Sequence, residues 1–147
     1  PVFASIWIKL GDRQPTTLQK FSFGLVFAGL SFIVMMLPGL LFGTEGLVSP
    51  LWLVFSFLLV VIGELLLSPV GLSATTKLTP SAFSAQTMSL WFMTNATGQA
   101  VNAQIVKFYD RDTEVMYFGI TGLVAVFFGL LLLVFSKKLQ VLMKGIR

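Results

Sequence analysis

Long runs without a charged residue set the pattern of this chain. No charge occurs from Phe21 to Thr44, from Leu78 to Val106 without interruption, or from Val115 to Ser136. Between Gly46 and Thr76 the single charge is Glu64. A helix needs about 20 predominantly apolar residues to cross roughly 30 Å of hydrocarbon. The runs therefore predict four transmembrane spans, at about 21–41, 51–75, 82–106 and 115–136. Pro1–Leu10 reads as the end of a fifth, with Trp7 at interfacial depth. Spans of this length are helical, because lipid cannot satisfy backbone groups and barrel strands are much shorter. The polar breaks fit. Gly11-Asp12-Arg13-Gln14-Pro15 is a turn, with Thr16 or Thr17 as N-cap of the first full helix. Ser49-Pro50 opens the second and Thr79-Pro80-Ser81 the third, while Asp110-Arg111-Asp112-Thr113 is a loop before the fourth.

Composition sharpens the class to an all-α integral membrane protein. Only 11% of the residues are charged, against about a quarter in soluble domains, and mean hydropathy is +0.90. With no Cys and no His, disulfides, Cys/His metal sites and His-dependent catalytic sets are excluded. No cofactor is expected, and an enzyme is the weakest class. The chain opens Pro1-Val2-Phe3, without a basic leader or cleavage site, and reads as a piece of a longer protein already inserted in a bilayer.

The net charge of +4 is explained by topology rather than by nucleic acid. Lys9, Arg13 and Lys20, then Lys77, then Lys137, Lys138, Lys144 and Arg147 fall on one side of the predicted membrane. Lys107 and Arg111 fall on the other, so the ratio is eight to two and the first side should be cytoplasmic. Residues 137–147 are then a cytoplasmic tail of a multi-pass protein.

Glu64 is the outstanding candidate for chemistry. A carboxylate at bilayer depth costs roughly 2.5 kcal/mol or more, so it should face a bundle interior or an aqueous cavity. Ser68 and Thr75 share its helical face. Pro69 and Gly71 follow at once and are expected to interrupt the helix, as transporters do near cavities and gates. The alternative is a Glu–Lys pair that only holds helices together. Within the spans this chain offers no Lys or Arg as partner. The third span carries Trp91, Asn95, Gly98 and Asn102 on one continuous face, flanked by Gln99. Amides and an indole suit a peptide-like or zwitterionic ligand, whereas their alternative use is interhelical hydrogen bonding.

Other features have plainer readings. Gly24, Ala28 and Ser31 form a close-packing face, the phenylalanines read as lipid-facing filler, and Met35, Met36 and Pro38 indicate only a kink. Asp110, Asp112 and Glu114 lack the spacing of a calcium loop.

The stretch from Gly63-Glu64 through Ser68-Pro69 and Gly71, then Thr76-Lys77-Leu78-Thr79-Pro80, then Leu90-Trp91-Phe92 to Asn95 and Gly98-Gln99, resembles the tenth and eleventh helices of proton-dependent oligopeptide transporters of the major facilitator superfamily. Leu10-Gly11-Asp12-Arg13 is similar to that superfamily's loop between helices eight and nine. The resemblance covers essentially the whole chain. It implies one fragment of a C-terminal six-helix bundle, from the end of helix eight to helix twelve, with the N-terminal helices as necessary partners. It also implies di- and tripeptides as substrates and protons as the coupling ion, moved by alternating access. Glu64, Trp91, Asn95 and Ser68 then correspond to substrate-binding positions, with Glu64 toward the peptide amino terminus. Asn95 departs from the small hydroxyl side chain frequent in the family. Pro69, Gly71 and Phe92 correspond to the cytoplasmic gate hairpin. A related carrier of nitrate or a modified amino acid, or a non-transporting helical subunit, are the alternatives.

Overall fold

A computed structural model describes residues 15–43 and 47–142, together with Lys9 and Gly11. Four α-helices run through them: α1 (Thr17–Phe42), α2 (Leu51–Leu78), α3 (Ser84–Ile105) and α4 (Glu114–Leu142). Single 3-10 turns precede and follow α3 and another leads into α4. The expected end of a preceding span at Pro1–Leu10 and the loop around Glu45 lie outside the described residues.

Helix α1 begins where the sequence places a cap. Thr16 Oγ1 accepts from the Gln19 amide at 3.4 Å, and the Thr16 amide donates to Gln19 Oε1 at 2.9 Å, a complete capping box. This starts the helix early enough to bring Lys20 into its first turns. There the lysine is buried. Thr16→Ala should cost about 1 kcal/mol, seen as faster amide exchange confined to residues 17–20; unchanged exchange there would show the box to be inert. Helix α2 follows Pro50, which already has helical torsions (φ −59°, ψ −15°), and Ser49 Oγ accepts from the Leu51 amide at 3.4 Å.

Helix α1 is the spine of the group. Against α2 it presents the small-residue face. A Cβ at Gly24 would stand 3.0 Å from Gly63 O, and one at Gly63 would stand 2.8 Å from Gly24 O. Further along the same seam Ser56 Oγ donates to Ser31 O at 3.0 Å, a buried bond between helices. Backbones approach this closely because lipid offers no hydrophobic drive for association, and dispersion between small residues must supply it. The opposite side of α1 packs on α4 in the same manner. Gly29 faces Gly122, Ser22 faces Gly129, Met36 covers Gly119, and Gly39 meets Val115, in antiparallel order. Met36 thus has a packing role beyond the expected kink.

Helix α3 stands apart, and none of its side chains is buried. Among the described residues, three helices are long and apolar enough to cross a membrane: α1, α2, and α4 with the turn before it. The expected span at 82–106 is helical but falls short on composition, because Asn, Gln, Ser and Thr interrupt its apolar surface. Four of its five hydroxyls are satisfied internally: Thr87, Ser89, Thr94 and Thr97 each donate to a carbonyl three or four residues back. At its far end Tyr109 packs edge-to-face on Tyr117 (5.3 Å between centroids), tying the loop to α4.

Candidate functional site: a polar recess between three helices

The expected interruption of α2 does not occur. The helix runs unbroken through Pro69 and Gly71. Proline removes only one backbone hydrogen bond, a loss that the remainder of a 28-residue helix and its neighbours absorb. Glu64 and Ser68 therefore stay in register, one turn apart on one face.

That face borders a recess of about 540 Å³. Helix α2 contributes Glu64 and Ser68, α3 contributes Trp91, Asn95 and Gln99, and α1 contributes Phe21 and Ala28. All four residues expected to bind substrate thus share one cavity. The polar chemistry of α3 divides cleanly. Its hydroxyls from Thr87 to Thr97 are spent on the helix backbone, whereas among the described residues Asn95, Gln99 and Asn102 make no interhelical hydrogen bond. The amides of Asn95 and Gln99 are left facing the recess. Asn102 and Gly98 are exposed and do not border it. Among the described residues no cation or hydrogen-bond donor reaches the Glu64 carboxylate.

The gate candidates fare differently. Pro69 and Phe92 are exposed and outside the recess. Gly71 is buried against Trp91. A Cβ there would overlap the indole at Cη2, and would lie 2.6 Å from Cζ2 and 2.9 Å from Phe21 Cζ. Phe21 stands beside this contact, edge-on to the indole with centroids 6.4 Å apart and planes at 87°. Beyond the indole lies a second, mostly apolar chamber of about 400 Å³, bordered by Leu18, Ala74, Thr75 and Leu132. Thr75 faces this chamber, so the face it was expected to share with Glu64 is divided between two cavities by the rings of Trp91 and Phe21. Its hydroxyl donates to Gly71 O at 2.8 Å. Phe21 is the site residue that sequence reasoning missed: a phenylalanine among many carries no mark of facing a cavity. The only signal was its place at the first uncharged position after Lys20.

The sequence profile of the POT family (PTR2) matches residues 1–127. The chain belongs to the POT family. This POT-family chain is 60% identical over 146 residues to an uncharacterized transporter, YclF, of Bacillus subtilis, covering 99% of the chain and 30% of that protein. It is 50% identical over all 147 residues to a di-/tripeptide transporter of Lactococcus lactis subsp. cremoris, again covering 30% of the relative. Its fold superposes with a TM-score of 0.92 on a crystal structure of a peptide transporter POT variant in complex with alafosfalin, at 62% identity, covering 99% of this chain and 30% of that one. The POT-family chain is thus a multi-pass membrane segment that spans about 30% of the length of the relatives it matches.

Proposed function

We propose that this POT-family chain forms part of the C-terminal half of a proton-coupled symporter of di- and tripeptides, working by alternating access in the cell membrane. In this reading it supplies one wall of the peptide site and the hairpin on the cytoplasmic side. The observation that carries the reading is the carboxylate of Glu64 at span depth, turned to a recess that also holds Trp91, Asn95 and Gln99. An intramembrane carboxylate without a cation beside it is costly. The ammonium of a peptide, a proton, or a lysine from helices outside this chain would each relieve that cost. Exchange among the three is a means of coupling: protonation or peptide binding releases the lysine, and the released charge pair permits the two halves to reorient. The amides of Asn95 and Gln99 offer donors and acceptors to a peptide bond, and the indole offers an apolar face. Kinship with the di-/tripeptide transporter of Lactococcus supports the substrate class. The excess of basic residues beside Lys20, Lys77 and the C-terminal residues supports a cytoplasmic C-terminus.

The test is dipeptide uptake by the full-length protein that carries this segment, reconstituted in proteoliposomes under an inward proton gradient. Accumulation that collapses with the gradient is expected. Uptake of nitrate or a modified amino acid but of no dipeptide would move the assignment to a related carrier. No flux from a folded preparation would favour a helical subunit.

A further inference from the structure

The positions of Gly71 and Phe21 imply more than packing. We propose that these two residues are positioning residues for Trp91: Gly71 is the seat of its indole, Phe21 its stop, and together they fix the wall between the polar recess and the apolar chamber. The proposal rests on the transport reading for its consequence, and on geometry alone for its structural half.

Gly71 is ordinarily the kind of residue assigned to a flexible point, above all two positions after a proline. Here α2 is continuous on both sides of it. Nothing at Gly71 requires a glycine torsion, since the only described positive φ values are at Gly11 and Gly43. What requires glycine is space. The missing Cβ is occupied by the benzo edge of the indole, the atoms Cζ2 and Cη2, with Phe21 Cζ beside them. The contact is therefore specific to the bicyclic ring; a phenyl ring at the same position lacks that outer edge. The edge-to-face contact with Phe21 limits rotation of the ring. Both Trp91 and Phe21 border both cavities, so any displacement of the indole changes the shape of the recess that Glu64 faces. Since α3 buries no side chain, few contacts besides this one fix its side chains relative to α1 and α2.

A hinge and a seat predict different behaviour in a double-mutant cycle. The full-length transporter would be labelled with 5-fluorotryptophan, its Trp91 resonance assigned by loss in Trp91→Phe. Gly71→Ala should shift that resonance. It should also weaken peptide affinity about fivefold or more in the wild-type background, yet by less than about twofold in the Trp91→Phe background. Phe21→Leu, which removes the stop without adding bulk, should broaden the same resonance, and it serves if Gly71→Ala does not fold. Equal losses from Gly71→Ala in both backgrounds would mean a hinge or general packing role and overturn the proposal. An unshifted Trp91 resonance in both Gly71→Ala and Phe21→Leu would overturn it too. Failure of the wild type to bind any peptide would instead sink the transport reading, while the fluorine resonance would still decide the seat.

Discussion

Glu64→Gln in the full-length transporter should lower peptide affinity roughly 10- to 100-fold and abolish gradient-driven accumulation, while leaving the helices assembled. The magnitude follows from the contact proposed. A hydrogen bond to a charged group contributes about 1.5–3 kcal/mol, and each 1.4 kcal/mol is about tenfold in binding. Glutamine keeps the shape and the ability to accept from an ammonium, so what is lost is the charge. The fold should tolerate the change because the side chain is exposed to the recess and, among the described residues, holds no helix to another. This separates the two uses of an intramembrane carboxylate. A pairing residue would betray itself by a fall in thermal stability with binding intact. A substrate residue would show the reverse. Equilibrium binding of a dipeptide and a detergent melting curve, taken on the same preparation, decide between them.

Gly122→Leu should strongly destabilise the described helices. A Cβ at Gly122 would lie 2.8 Å from both Gly29 O and Ile33 Cγ1, and 3.1 Å from the Ile33 amide nitrogen. The obstacles include backbone atoms, which cannot swing aside as a side chain end can, so α1 and α4 must separate. Overpacking of a well-filled interior costs about 1–3 kcal/mol, and here the whole seam from Ser22–Gly129 to Gly39–Val115 would lose contact as the helices part. The detergent melting midpoint should fall by several degrees, with peptide affinity reduced only as far as folding fails. Leu123→Ala, one position along on the exposed side of α4, is the control and should move the midpoint far less. Equal midpoints for Gly122→Leu and the parent would show that the two helices are not held by this approach.

Much of the fold was legible because charge is excluded from hydrocarbon. The charge-free runs marked four helices, and Thr16 marked the start of α1. The boundaries differed where a helix outruns the lipid. The expected span 115–136 stops at the first lysine, whereas α4 continues to Leu142 through Lys137 and Lys138. Span limits drawn from charge record where the hydrocarbon ends, and helices are free to extend beyond it. The site residues were legible in part for the same reason: Glu64, Asn95 and Gln99 are expensive where they stand and so draw notice. Gly71, Phe21 and the Gly29–Gly122 crossing were not. Lipid and protein interior are equally apolar, so hydropathy does not reveal which side of α1 or α2 meets a neighbour. The contact at Gly71 was hidden for a related reason. Its neighbour is an indole twenty residues away in sequence, and one dimension shows only the proline two positions before it.

The isolation of α3 bears on the order in which the parts come together. Helices α1, α2 and α4 carry the matching halves of both glycine seams, and each seam can close as soon as its two members are in the bilayer. Helix α3 has no such seam and contributes chiefly one ring, laid in a notch on α2. The three-helix block can therefore assemble from its own seams, and α3 joins it chiefly through Trp91.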